Sequence, residues 1–211
     1  MRIDTKPFGP GLVITGFGAY PTPLENVNLI RIPEHIETAQ EIAEKSVTLV
    51  ENSLDLVPLD SGSTGEVLVI SPDNLLLDDG QLSLSEYFAD AGYSVQQQVI
   101  SHTVTETQKQ EALAKAEESD LVIFATHNFA YNPTYYGNTQ IELGEALHEF
   151  SSDTGIPVIL VSVENPYDLR KLPDFPTEIV TYTSSTTSIQ ALVDAMTGKI
   201  EFQGVLPVEL D

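Results

Sequence analysis

Apolar residues along the chain follow two spacings in turn. After Pro33, the residues Ile36, Ala39, Ile42, Ala43, Ser46, Val47 and Val50 recur at intervals of mostly three and four. That spacing lines one face of a 3.6-residue helix, so an amphipathic helix is predicted over Glu34–Glu51, with Pro33 in its first turn. Leu54–Leu59 then closes it in extended form. Beyond this point short apolar runs take turns with helical stretches. Strands are predicted at Val67–Ser71, Tyr93–Ser101, Leu121–Thr126, Pro157–Val163 and Glu178–Thr183. Helices are predicted at Ser83–Ala91, at Thr105–Glu118 with Thr105 as its cap, at Asn138–Ser152 and at Thr187–Met196. A short turn falls at Pro166–Leu172.

Strands alternating with helices imply right-handed crossovers and a parallel sheet covered on both sides. The predicted class is α/β: a three-layer doubly wound sandwich, with a five- or six-stranded, mainly parallel sheet and helices on both faces. Leu121–Ala125 and Pro157–Val161 are continuously apolar, as buried central strands should be. Tyr93–Ile100 carries Gln96, Gln97 and Gln98 and reads as an edge. Residues 1–32 differ from the rest. They contain Pro7, Pro10, Pro21 and Pro23, and only Leu12–Phe17 has the makings of a strand. They read as an extended linker or edge segment in front of a sandwich domain over residues 33–211.

Composition narrows the partners. The 211 residues suit one domain, which at this size buries about 70% of its extended-chain surface. Cysteine is absent, which removes disulfides, thiolate zinc sites and cysteine nucleophiles together. Nine Lys and Arg face 32 Asp and Glu, a net charge of −23. Such a surface repels phosphate backbones and anionic lipid, so neither nucleic acid nor a membrane is an expected partner. The acidic residues are dispersed, as on a folded, highly solvated surface. That fits an extracellular or cell-envelope setting and fits simple solubility equally well.

In open α/β sheets ligands bind beyond the carboxyl ends of the strands. Those ends carry Asp73, His102, His127 with Asn128, then Glu164, Asn165 and Tyr167, then Ser184 to Ser188. This is the polar rim a sugar-binding cleft uses, and also what a solvated loop edge looks like. His127 follows a buried strand, where an imidazole meets a ligand or packs on its own loop. Glu164 is the best-placed single carboxylate, with a solvated loop position as its plain alternative. A metal at His102 and His127 requires a third ligand such as Asp73, and no metal or cofactor is expected. His35 and His148 are expected on helix surfaces. The Thr183–Ser188 run suits a helix cap, and Asn165 likewise caps the turn after its strand. Nucleotide motifs fail: Gly16-Phe17-Gly18 lacks a third glycine, and Pro21 and Pro23 follow where a helix should begin. No G-x-S-x-G elbow exists for a serine nucleophile.

Several segments together resemble the C-terminal domain of family 3 glycoside hydrolases. Glu34–Asn52 followed by Leu54-Asp55-Leu56-Val57-Pro58-Leu59 is similar to that domain's opening helix and "N-x-x-x-L-P-L" stretch. Ser119-Asp120-Leu121-Val122-Ile123-Phe124-Ala125-Thr126 resembles its "A-D-x-V-V-V-A-T" strand, with Gln140 on the helix that follows. Gly155-Ile156-Pro157-Val158-Ile159-Leu160-Val161, continuing to Asn165-Pro166-Tyr167-Asp168-Leu169, resembles "G-K-P-V-V-V-V-x-x-x-N-P-Y-D-L", and its ending points to the β-N-acetylhexosaminidase-like branch. Phe202-Gln203-Gly204-Val205-Leu206-Pro207-Val208 is similar to the closing "P-x-G-x-L-P-V".

The resemblance implies a carbohydrate substrate and an N-terminal (β/α)8 barrel as partner, since in that family the nucleophile sits on the barrel. A barrel of about 250 residues has no counterpart in this sequence. The β-glucosidase branch's "G-E-x-P-Y-x-E" loop corresponds to Thr126-His127-Asn128-Phe129-Ala130-Tyr131, which holds no carboxylate. No catalytic residue carries over. His127, Asn128, Asn165 and Tyr167 remain as substrate-binding candidates. Three readings follow: a structural or substrate-lining domain of a larger enzyme, a free-standing carbohydrate-binding or interaction module, and a self-sufficient hydrolase using His127. Val13–Gly18 is also similar to the opening of pyroglutamyl peptidases, but those need a cysteine nucleophile.

Overall fold

A computed structural model describes residues 32–72, 83–130 and 138–210. The expected strand at Leu12–Phe17, the linker reading of residues 1–32 in all but its last residue, and the candidate Asp73 lie outside the described residues. The chain divides into a unit up to Thr38 and a second from Ala39 onward, which contains the sheet.

Six strands form one sheet: β1 (Thr48–Asn52), β2 (Glu66–Pro72), β3 (Ser94–Ile100), β4 (Leu121–His127), β5 (Val158–Val163) and β6 (Thr177–Thr181). Their order is β1-β6-β5-β4-β2-β3. Every pairing is parallel except that of β1 with β6. Each residue of β4 and β5 is buried, as expected of central strands, and the Gln-rich β3 is an edge. Going out from β2, the chain adds β3 on one side, then β4, β5 and β6 on the other. The topological switch point therefore lies between β2 and β4.

Alternate strand residues feed two cores. Val67, Val69, Ile123, Ala125, Ile159, Val161 and Ile179 face one side, packed by α2 (Leu84–Asp90) and α5 (Thr186–Met196) through Leu84, Phe88, Ile189 and Leu192. Leu68, Ile70, Val122, Phe124, Val158, Leu160 and Val180 face the other, packed by α3 (Glu106–Ala116) and α4 (Thr139–Thr154) through Ala112, Ala116, Leu143 and Leu147. This is the three-layer sandwich the alternation predicts. Capping residues set the helix ends. Thr105 accepts from the Gln108 amide in a full capping box, and Gly155 ends α4 at φ 79°, where a side chain would be strained.

The first helix corrects the sequence reading. It was expected to run to Glu51, but α1 (Pro33–Ser46) ends five residues earlier and Thr48–Asn52 becomes an edge strand. Ala43, Val47 and Val50 fit a helical stripe, so spacing alone extends the helix. The run Val47-Thr48-Leu49-Val50 also suits a strand, and an open edge of β6 is available to pair with it. Tertiary pairing decides an ambiguous local pattern. His148 is a smaller correction: it is half-buried, with its ring edge-on to Phe175 at 5.5 Å.

The charge has a consequence for the fold. The ion pairs Lys45–Glu41, Lys109–Glu106 and Lys199–Asp194 are all local in sequence, and 9 cations cannot offset 32 carboxylates. Self-repulsion acts over a Debye length of about 30 Å at 0.01 M salt and about 10 Å at 0.1 M. The melting temperature is expected to rise by a few degrees as NaCl goes from about 0.01 to 0.2 M. A flat or falling trend in a thermal melt would show that the carboxylates are spaced too widely to matter.

Candidate functional site

The parallel register aligns His127 of β4 with Val163 of β5, and Val163 with Thr181 of β6. The three strands thus end level, and the residues that follow them meet at one rim. Two of these residues have left-handed backbones without being glycine: Asn128 at φ 51° and Glu164 at φ 72°. Asn tolerates this conformation. For Glu it costs roughly 1–2 kcal/mol, so the surroundings must hold it.

They do so through a set of cross-strand contacts. Asn165 Nδ2 donates to Asn128 Oδ1 at 3.1 Å, joining the loop after β4 to the turn after β5. The other end of the same side chain, Oδ1, accepts from the Tyr167 amide and caps a 3-10 helix over Pro166–Lys171. His127 Nε2 stands 3.1 Å from Glu164 Oε2, and Ser184 Oγ donates to Glu164 Oε1 at 2.6 Å. Partial burial pushes the Glu164 carboxyl up, but the Ser184 hydroxyl and the nearby His127 outweigh it and hold the group below its ordinary range. The buried Gln140 of α4 accepts from the His127 amide at 3.3 Å and donates to the His102 carbonyl at 3.4 Å. The His102 and His127 rings meet edge-on, with centroids 5.9 Å apart.

Below the rim sits Asp168, fully buried in the 3-10 helix. Its carboxylate accepts from Thr126 Oγ1 at 3.1 Å and from the Ala130 amide at 2.8 Å, and the amides of Phe129 and Asn128 also favour its charged form. One side chain from the β5 turn therefore organises the start of the loop after β4, as far as Ala130. Burial pushes its carboxyl up to about 6, with the backbone amides pulling the other way.

Each sequence candidate among the described residues has a definite place. His127 is buried and Asn128 and Asn165 are half-buried, all in one contact group. Tyr167 lies beside them, 40% exposed, under the Arg170 guanidinium at 5.9 Å. Glu164, read as a solvated loop carboxylate, is instead held by two side chains. Ser185 is the helix cap that the Ser/Thr run suggests. Sequence reasoning missed Asp168 and Gln140 as organisers. The local signal for Asp168 is no more than a carboxylate directly before the core residue Leu169. Among the described residues no group of three or more His, Cys, Asp or Glu side chains is arranged to hold a metal. No described helix is long and apolar enough to cross a membrane. A separate concavity of about 500 Å³, lined by Glu51, Asp174 and Glu178 among others, opens at the far end of β6, away from this rim.

Residues 47–211 match the glycosyl hydrolase family 3 C-terminal domain. The chain belongs to this family. A β-N-acetylglucosaminidase/β-glucosidase of Cellulomonas fimi is 31% identical over 191 residues, which make up 84% of this chain and 32% of that protein. The solved family 3 β-N-acetylglucosaminidase of Paenibacillus sp. str. FPU-7 superimposes with a TM-score of 0.71 at 25% identity, over 96% of this chain and 36% of that one. A β-glucosidase of Listeria innocua has the same fold, with a TM-score of 0.66 at 16% identity over 83% of this chain and 27% of that one. The family 3 domain described here thus spans about a third of the length of such relatives, which carry further domains. It has the α/β sandwich that the sequence predicts with five or six strands, and the sheet has six.

Proposed function

We propose that this chain is the non-catalytic C-terminal domain of a β-N-acetylhexosaminidase-like family 3 enzyme. In this reading its strand-end rim lines the carbohydrate site that an N-terminal (β/α)8 barrel completes, and His127, Asn128, Asn165 and Tyr167 contact the sugar. The observation that carries the reading is the Asn165–Asn128 bond. It brings the two candidate loops side by side at the carboxyl ends of the central strands, where α/β sheets take ligands. A buried carboxylate, Asp168, fixes the loop from beneath. The C. fimi and Paenibacillus relatives, whose names place them among β-N-acetylglucosaminidases, support the branch.

The chain by itself is expected to hydrolyse neither N-acetylglucosaminide nor glucoside chromogenic substrates above background. In an amide-resonance titration with N,N′-diacetylchitobiose, shifts are expected at Asn128, Asn165 and Tyr167. Turnover that disappears in His127→Ala would replace this reading with that of a self-sufficient hydrolase. A rim whose resonances stay put at saturating sugar would leave the domain a structural role only.

A further inference from the structure

We infer that Glu164 is the rim's ligand-gripping carboxylate, accepting a hydroxyl of a neutral sugar on a carboxylate that Ser184 and His127 hold in place. The inference rests on the reading above and names the residue that decides what the rim takes. A Glu side chain on a loop is ordinarily mobile, and ordering it on binding costs affinity. Here that cost is met in advance. Ser184 Oγ holds one oxygen at 2.6 Å and His127 Nε2 faces the other at 3.1 Å.

A carboxylate has about four lone-pair positions, so these two contacts leave room for a further donor. The side chain is 31% exposed, against 9% for His127. Of the two groups the carboxylate is therefore the one presented further outward, and the imidazole supports it while keeping a small exposed part. Its depressed pKa keeps it ionised, and thus acceptor-only, into the acid range. Its partner must then be a donor. An anionic ligand is disfavoured by this charge and by the net −23 of the chain.

The backbone points the same way. Glu164 keeps a left-handed conformation at φ 72° in which glycine would sit without strain. A strained non-glycine residue at a strand end, with its side chain anchored and partly open, marks a functional position. Nucleophile activation is not what the arrangement offers. Ser184 is bonded to the carboxylate, and the carboxylate stands between the hydroxyl and the imidazole.

The test uses the full chain, titrated with N,N′-diacetylchitobiose and with methyl β-glucopyranoside, and read by amide shifts at the rim. Glu164→Gln keeps the shape but loses the charge, and is expected to weaken binding about tenfold. Ser184→Ala keeps the carboxylate but frees it, and is expected to lose less. Glu164→Gly relieves the backbone while removing the side chain. Its melting temperature should stay within about 3 °C of wild type, while binding falls at least as far as in Glu164→Gln. If the wild-type rim responds to sugar and Glu164→Gln titrates identically, this inference fails and the substrate-lining reading survives. If the wild-type rim does not respond at all, both fall.

Discussion

Asp168→Ala is expected to cost about 3–5 kcal/mol of stability, lowering the melting temperature by roughly 10 °C or more. Asp168 is fully buried and accepts from Thr126 Oγ1 and from the Ala130 amide, with the amides of Phe129 and Asn128 also favouring its charge. Alanine leaves the buried Thr126 hydroxyl and the half-buried Ala130 amide without this partner and opens a void where the carboxyl stood. Each orphaned donor costs about 1–3 kcal/mol, reduced where water enters. Asp168→Asn keeps the volume and part of the bonding, because the Thr126 hydroxyl can turn to accept from an amide. It should lose distinctly less.

The pair also gives a pH test. Burial holds the Asp168 carboxyl at about 6, against an ordinary 3.8. Between those values the folded chain keeps a proton that the unfolded chain has already released. The contribution of this group to stability is therefore complete below pH ~4, falls as pH rises through ~6, and is level above, a change of up to about 3 kcal/mol. Glu164 works in the opposite direction, since its depressed pKa loses stability as pH falls. Comparing wild type with Asp168→Asn cancels that and every other carboxylate common to both. The wild-type advantage, measured by denaturant unfolding, should shrink from about pH 4 to about pH 6.5. An advantage that is constant with pH would mean that the bonds to Asp168 offset its burial in full.

The fold was legible because its signals are local and repeated. The apolar runs of β4 and β5, the Gln-rich edge β3 and the Thr105 cap each have one reading. The end of α1 was not legible, because Val47–Val50 fits helix and strand alike and only the free edge of β6 decides between them. The site divides in the same way. Placing His127, Asn128, Asn165 and Tyr167 at strand ends needed only the strand boundaries. The bonds His127–Glu164 and Asp168–Ala130 join residues 37 and 38 positions apart, and nothing in the linear pattern marks one carboxylate as buried and another as exposed. Glu164 and Asp168 look interchangeable in sequence and have opposite environments in the structure.

Gly204→Ala is expected to destabilise the chain by about 2–4 kcal/mol, with a fall in melting temperature of roughly 5–10 °C. The sequence 201–210 has no hydrophobic run long enough to suggest a strand, but alternate residues from Phe202 to Leu210 are half-buried, the mark of an extended segment lying on a surface. That surface is the start of β1. The Gly204 amide donates to the Val47 carbonyl at 3.1 Å. A methyl group at this position would collide with Thr48 Oγ1 and the Ser46 carbonyl, and would stand 2.7 Å from the Val47 carbonyl. Two of the three obstacles are backbone, so neither can swing aside as a flexible side chain would. The glycine is needed for close approach, which gives a physical meaning to its place in the closing motif. With alanine the segment must lift, loosening Phe202 and Leu206 from the two cores they pack against. It would also uncover part of an edge strand, and unpaired edges invite pairing with other chains. Faster amide exchange at Gly204 and greater aggregation on heating should therefore accompany the lower melting temperature. A melting temperature within about 1 °C of wild type would show that β1 and the closing segment can separate by about an ångström at no cost.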